Sequence, residues 1–165
     1  MKNKRVILAA PTPDGEFIAH YSEKGLAEMD FPAARPMATH HIEANAVPAK
    51  IRRWHRLTEI ALQKILAGHA PEVFPPLDLS GTAFQKCVWN ALRKISCGQT
   101  NSYGEIATAI GRPTAVRAVG GACGANPVPI LVPCHRVLGA HGRLGGFSGG
   151  LDWKRRLLAR EGRKF

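Results

Sequence analysis

The sequence predicts an α+β fold. A small N-terminal antiparallel β-sheet with one long helix comes first. A mostly helical C-terminal half containing a helix-turn-helix follows. Three observations predict this. Short β-rich runs split by Gly-containing turns fill residues 5–31. A single helical periodicity spans Lys50 to Leu66. Beyond Thr82, helix start and stop signals recur.

The elements follow in order. "RVILAA" leads into the turn signal "TPDG", "EFIAHY" into "SEKG", and "LAEMDF" completes a pair of hairpins. Residues 32–48 are rich in Pro and Ala without periodicity and read as a loop. From Lys50, the residues Ile51, Trp54, Leu57, Ala61 and Ile65 recur at helical spacing, and Gly68 closes the helix. "HAPEVFPPLDLSG" reads as a linker with "LDL" as a short strand, which divides the chain into domains at 1–78 and 79–165. Thr82 N-caps a helix with a stripe of Phe84, Val88, Leu92 and Ile95, Trp89 beside it, and Gly98 at its end. "SYGE" is a capping box in which Ser102 caps and Glu105 reaches back. "YGEIATAI", the turn "GRPT" and "AVRAVGGAC" form two short helices about a tight turn, the helix-turn-helix signature. The last helix begins at Asp152 and stops at Gly162.

Composition narrows the function classes. Of 165 residues, 45% are hydrophobic and 21% charged, as in a folded globular protein. The first apolar run is broken by Pro11, Pro13, Asp14 and Gly15, too early for a secretory signal, and no stretch reaches transmembrane length. A cytoplasmic protein without membrane association is expected. The net charge of +11 is uneven. Residues 1–80 hold 10 Lys/Arg against 9 Asp/Glu, whereas residues 81–165 hold 13 against 3. That asymmetry points to a nucleic-acid face on the second half, against the plainer reading of solubilising charge. The cysteines, Cys87, Cys97, Cys123 and Cys134, include no CxxC pair, so free thiols are expected. The neighbours His40 and His41 read as surface residues rather than metal ligands.

The chemistry concentrates in "NPVPILVPCHRVLG". A thiol attacks only as its thiolate and has an ordinary pKa of about 8.5. In "PCHRV" a base and a positive charge follow Cys134 directly in sequence. Successive side chains of an extended segment point apart, so His135 is expected to act through a bridging water. On these five residues alone, an activated thiol and a buried structural cysteine stand level.

The surrounding sequence separates them. From Thr82 to Gly162 the chain strongly resembles the O6-alkylguanine-DNA alkyltransferases, also called methylated-DNA–protein-cysteine methyltransferases. "PCHRV", "SYGEIA", "GRP", "RAVG", "NP" and "GLDWKRRLLAREG" match family segments in the same order. The opening "TPDGEFIAHYSEKGLAEMDF" matches more loosely. The resemblance implies a ribonuclease-H-like first domain and a winged-helix-like second one. It also implies transfer of an alkyl group from O6 of guanine, or O4 of thymine, to Cys134, once per molecule and irreversibly. His135 is then the base and Glu161 orients it. Asn126 braces the turn before the acceptor segment, and Tyr103 gives a proton to the leaving base. Arg117 fills the gap left by a flipped nucleotide. Thr114, Ala115 and Ala118 join Arg117 and Tyr103 against DNA. Val137, Ser148, Pro129, Phe147 and Gly149 surround the base, and the carbonyls of Cys134 and Val137 receive its exocyclic amine. The small residues of "TAVRAVGGACG" permit close approach to a narrow groove, and with the resemblance they imply docking in the minor groove of double-stranded DNA; a monomer is expected.

Departures from the pattern are few. Ser96 stands where Pro is common, and Phe147 where some members have Tyr. Some relatives hold zinc through N-terminal Cys and His. No cysteine precedes Cys87 here, so neither metal nor cofactor is expected. Three rivals remain: a non-catalytic alkylated-DNA-binding module, a helix-turn-helix regulator and a cysteine hydrolase. The first lacks the acceptor cysteine, the second has no need of "PCHRV", and the third requires no DNA. The charge asymmetry yields a direct expectation: affinity for duplex DNA should fall steeply as salt rises, because Lys/Arg contacts release counterions. Titrations across a salt series test it, and a flat response would remove the nucleic-acid reading.

Overall fold

Residues 5–33 and 46–165 are described by a computed structural model; His40 and His41 lie outside them. Three antiparallel strands open the chain: β1 (Val6–Thr12), β2 (Gly15–Tyr21) and β3 (Leu26–Asp30), in the spatial order β1-β2-β3. The first hairpin pairs Val6 with Tyr21 and Thr12 with Gly15. Thr12 Oγ1 locks its tip by donating to the Gly15 carbonyl at 2.7 Å and accepting from the Asp14 N–H at 3.2 Å. Period-2 alternation buries Phe17, Ala19 and Tyr21 on one face of β2.

That face meets α1 (Ala49–Leu66). The buried stripe of α1 is Ile51, Thr58, Ala61, Leu62, Ile65 and Leu66. It departs from the expected one: Leu57 is only half-buried, and Thr58 and Leu62 take its place. A hydroxyl is tolerated there because it is satisfied. Thr58 Oγ1 accepts from Tyr21 Oη at 2.8 Å and donates to the Trp54 carbonyl at 3.0 Å. The "LDL" segment forms a single parallel bridge, Leu26 to Leu77, rather than a strand.

The second half contains α2 (Ala83–Leu92), the two-residue β4 (Asn101–Ser102), α3 (Tyr103–Ala109), α4 (Val116–Gly124), β5 (Val137–Leu138) and α5 (Leu151–Arg160). The expected capping box of Ser102 with Glu105 forms, and the Thr82 N-cap proves to be a second box, with Gln85. Helix α2 is a turn shorter than its stripe implies. After Leu92, the N–H groups of Lys94 and Ile95 bond only three residues back, yet Ile95 stays buried. Trp89 Nε1 donates to the Ala122 carbonyl at 2.8 Å and fastens α2 to α4. Strands β4 and β5 pair in parallel, Asn101 with Val137 and Ser102 with Leu138. The pair brings the start of α3 beside the segment that follows Cys134.

One hydrophobic cluster runs through both halves, from Phe17 and Leu62 to Trp89, Ile130 and Leu157. Contacts reinforce it at the rim. Gly68, at φ +81°, lies so close to the end of α5 that a Cβ would stand 2.0 Å from the Arg160 carbonyl oxygen. Asp14, in the first hairpin turn, is paired with Arg156 and Arg160 of α5. Hydrogen bonding from Arg160 holds the Asp14 carboxyl below the ordinary carboxylate range. Asp14→Asn should therefore lower stability by about 1 kcal/mol, since the arginines are partly exposed. Thermal melting checks it, and high salt should shrink the difference between variant and wild type.

Candidate active site

Asn126 organises the acceptor segment. It follows α4, and its side chain is buried. Its Oδ1 accepts from the Val128 N–H at 3.0 Å, which fixes the amide orientation. Nδ2 then donates to the Val132 carbonyl at 2.8 Å and to Cys134 Sγ at 3.2 Å. The intervening residues Val128, Ile130, Leu131 and Val132 are all buried. Ile130 is held at φ +75°, a conformation that β-branched residues rarely adopt. The apolar run is thus a folded-back turn, with Val132 N–H bonded to the Val128 carbonyl at 3.0 Å.

Cys134–Arg136 form a single 3₁₀ turn rather than an extended segment. Cys134 is 4% exposed and His135 is fully buried. His135 Nε2 lies 3.0 Å from Glu161 Oε1. An ionised carboxylate only accepts, so Nε2 carries the proton and Nδ1 keeps its lone pair. Nδ1 is buried without a hydrogen-bond partner among the described residues.

Glu161 caps the end of α5. Besides His135 it accepts from Arg136 Nε at 3.2 and 3.1 Å, from Arg136 Nη2 at 2.9 Å and from the Gly98 N–H at 3.1 Å. Burial pushes its pKa up, but hydrogen bonds from His135 and Arg136 prevail and hold it at about 2. Burial lowers the His135 pKa despite Glu161, so the imidazole is neutral at neutral pH. Burial raises the Cys134 thiol, while Asn126 and the charge of Lys154 oppose that rise. The resting site is therefore a thiol beside a neutral base, with both charges of the Glu161–Arg136 pair compensated.

The burial of two charged residues at this site escaped the sequence reading. Arg136 is buried and also donates to the Ile95 carbonyl at 2.7 Å. Lys154 is fully buried, and its Nζ donates to the Val137 carbonyl at 2.7 Å and to the Gly146 carbonyl at 3.2 Å. A signal for it existed: Lys154, Leu157, Leu158 and Glu161 share one helical stripe. The Val137 carbonyl, expected to receive a base amine, already accepts from Lys154.

Cys134 opens into a cleft of about 490 Å³ lined by Tyr103, Gly120, Cys123, Phe147 and Ser148 among others. Burial raises the Tyr103 pKa, so its phenol keeps its proton. Pro129, Ser148 and Gly149 line a neighbouring cleft with Asn126 and Phe31. Val137 is fully buried behind the site. Thr114, Arg117 and Ala118 are exposed and Ala115 half-buried, about the first turn of α4. Cβ atoms added at Gly120, Gly121 or Gly124 would meet open space, so this helix presents a low surface. No group of three or more His, Cys, Asp or Glu among the described residues is placed to hold a metal ion. No helix there is long and apolar enough to cross a membrane.

Fold and site together define a class: a helix-turn-helix protein with a buried cysteine, a histidine and a glutamate at the foot of an open cleft. Comparison with known proteins makes the class particular. A family model described as "6-O-methylguanine DNA methyltransferase, DNA binding domain" matches residues 83–163. A methylated-DNA–protein-cysteine methyltransferase of Methanosarcina acetivorans is 41% identical over 151 residues, covering 92% of this chain and 94% of that protein. One from Mycolicibacterium paratuberculosis is 58% identical over 97 residues, a match that spans 59% of each chain. A Mycobacterium tuberculosis OGT solved in complex with DNA superposes with a TM-score of 0.75 at 39% identity, covering 93% of this chain and 90% of that one. The chain belongs to the methylated-DNA–protein-cysteine methyltransferase family.

The Glu161 network gives a prediction with a defined sign. The folded carboxyl titrates at about 2 against an ordinary 4.5, so its stabilisation is complete above pH 4.5 and is lost as pH falls towards 2. Glu161→Gln should cost about 3 kcal/mol at neutral pH. Chemical denaturation checks it: the gap between variant and wild type should close on acidification across that window.

Proposed function

We propose that this chain repairs alkylated duplex DNA by taking the alkyl group of O6-alkylguanine, or of O4-alkylthymine, onto Cys134. The observation that carries the reading is the 3.0 Å contact of His135 Nε2 with Glu161, which selects the tautomer. With Nε2–H committed to Glu161, the lone pair of Nδ1 is left to receive the Cys134 proton. This activation is what a thiol raised by burial needs.

The step balances. Cys134 gives its proton to His135, through a bridging water, and its sulfur attacks the alkyl carbon. A sulfur–carbon bond forms as the carbon–oxygen bond breaks, and the electron pair leaves on guanine. Tyr103, kept protonated by burial, donates a proton to the departing base. Asn126 and Lys154 stabilise the transient thiolate, the first by its hydrogen bond and the second by its charge. The product is a thioether, which water does not cleave, so each molecule acts once.

The target oxygen lies within the base stack, so the nucleotide must be flipped into the cleft. The low surface of α4 supports minor-groove docking. There Thr114, Ala115 and Ala118 approach the backbone, and exposed Arg117 fills the vacated stack. Val137, Pro129, Phe147, Ser148 and Gly149 form the walls of the base pocket, with the Ser148 N–H on the base. In this reading residues 79–165 are a winged-helix-like, DNA-facing domain and residues 1–78 a ribonuclease-H-like one. The protein works as a cytoplasmic monomer.

Two outcomes test this. Wild type mixed with excess methylated duplex should gain one methyl group on Cys134 by intact mass and then stop, whereas Cys134→Ser should gain none and still bind DNA. Continued repair without an added acceptor, or methylation of Cys87, Cys97 or Cys123 instead, would overturn it. Arg117→Ala should slow repair of duplex far more than reaction with free O6-methylguanine base, because flipping costs a few kcal/mol and the free base has no stack to leave. Comparing the two rates decides it.

A further inference from the structure

The N-terminal sheet reaches the acceptor site through one aromatic side chain. Phe31 follows directly on β3. Its ring centroid lies 5.6 Å from that of Phe17 in β2 and 5.2 Å from that of Trp153 in α5. On the far side it lies 5.6 Å from Phe147, at a steep 76°. Phe147 in turn stands edge-on to the His135 imidazole at 6.4 Å. A row of rings thus runs from the sheet to the base of the site. The same Phe31 ring closes on Gly149: a Cβ there would fall 2.6 Å from the ring's Cζ. Two residues earlier, the Met29 N–H donates to the Pro127 carbonyl at 2.9 Å, next to Asn126. The exit of β3 therefore touches both the turn that holds Cys134 and the loop that faces it.

That loop needs outside help. Residues 145–150 read "GGFSGG". Glycine loses more backbone freedom on ordering than any other residue. Lys154 holds the Gly146 carbonyl, and the Gly150 N–H bonds the Phe147 carbonyl at 3.0 Å. Neither contact fixes the Phe147 ring or Gly149. Phe31 touches both.

We infer that Phe31 is a positioning residue for alkyl transfer: its ring, supplied by the N-terminal half, sets the 145–150 loop so that Phe147 stays against His135 and the loop backbone meets the base. This rests on the reading of that loop as a wall of the base pocket. It gives the first half of the chain a part in the chemistry that DNA contacts do not supply.

The test compares wild type with Phe31→Ala, Phe31→Leu, Gly149→Ala and the double variant Phe31→Ala/Gly149→Ala. Rates of alkyl uptake on Cys134 are read by intact mass, with both methylated duplex and free O6-methylguanine base. Phe31→Ala and Gly149→Ala should each slow uptake by about 10–100-fold, since a misplacement near 1 Å costs that much. The loss should be equal on both substrates, with affinity for unmodified duplex unchanged. Phe31→Leu should fall between; it carries the same comparison if the alanine variant does not fold. In the Phe31→Ala background, Gly149→Ala should cost nothing more, because the ring it would strike is gone. A structural role alone would lower the melting temperature without this non-additivity. Wild-type rates on free base in the folded Phe31 variants, or strict additivity of the two changes, would overturn the inference. Failure of wild type itself to gain an alkyl group on Cys134 would instead overturn the alkyl-transfer reading.

Discussion

A single buried carboxylate holds the C-terminal half together. The Glu161 side chain is 1% exposed and accepts from an imidazole, a guanidinium and a backbone N–H. Removing a charge from water costs several kcal/mol unless such partners replace the solvent. Here the partners come from two places in the chain, the loop at Gly98 and the 3₁₀ turn at His135–Arg136, while the carboxylate itself comes from the end of α5. Satisfying one charge therefore requires all three to be in register. The same register points Nδ1 of His135 away from Glu161 as the free base.

The thiol is governed by the opposite constraint. Burial favours its neutral form, and the site counters this with one hydrogen bond from Asn126 and one ammonium, Lys154. Lys154 is itself buried and its pKa is lowered by burial. Its two carbonyl partners compensate its charge, and a thiolate formed at Cys134 adds to that compensation. Ionisation of the cysteine and the charge of the buried lysine are thus mutually favourable. The left-handed Ile130 belongs to the same economy. Backbone strain at such a residue costs about 1–3 kcal/mol and persists only where packing on all sides demands it. The buried Val128–Val132 turn and the Asn126 amide supply that demand.

The two halves behave as one packed body around this site. Their apolar residues form a continuous cluster, the Asp14 pairs bind the first hairpin to α5, and Gly68 lets the ends of α1 and α5 touch. The exposed cationic surface and the buried ionic network serve different ends. The first is available to phosphates, whereas the second is spent on holding His135 and Glu161 in place.

By itself the sequence determined what depends on local pattern. The Ser102 capping box, the Thr82 N-cap, the β-hairpins, the long helix and the turn between α3 and α4 follow from spacing within a few residues, and all are present. Cys134, His135, Glu161, Asn126 and Tyr103 were singled out because they sit in family segments of matching order, and the fold brings Asn126 and Tyr103 to Cys134 and Glu161 to His135. What spacing could not carry was decided by tertiary packing. The stripe of α1 shifted to Thr58 because Tyr21, distant in sequence, satisfies its hydroxyl. Strands β4 and β5 are two residues each, too short for a period to register. The burial of Arg136 and Lys154 depends on acceptors 25 and 17 residues away, and burial of charge is invisible until those partners are placed. The contact of Phe31 with Gly149 joins opposite ends of the chain. A long-range contact of that kind is set by how the sheet packs on α5, and no local pattern encodes it.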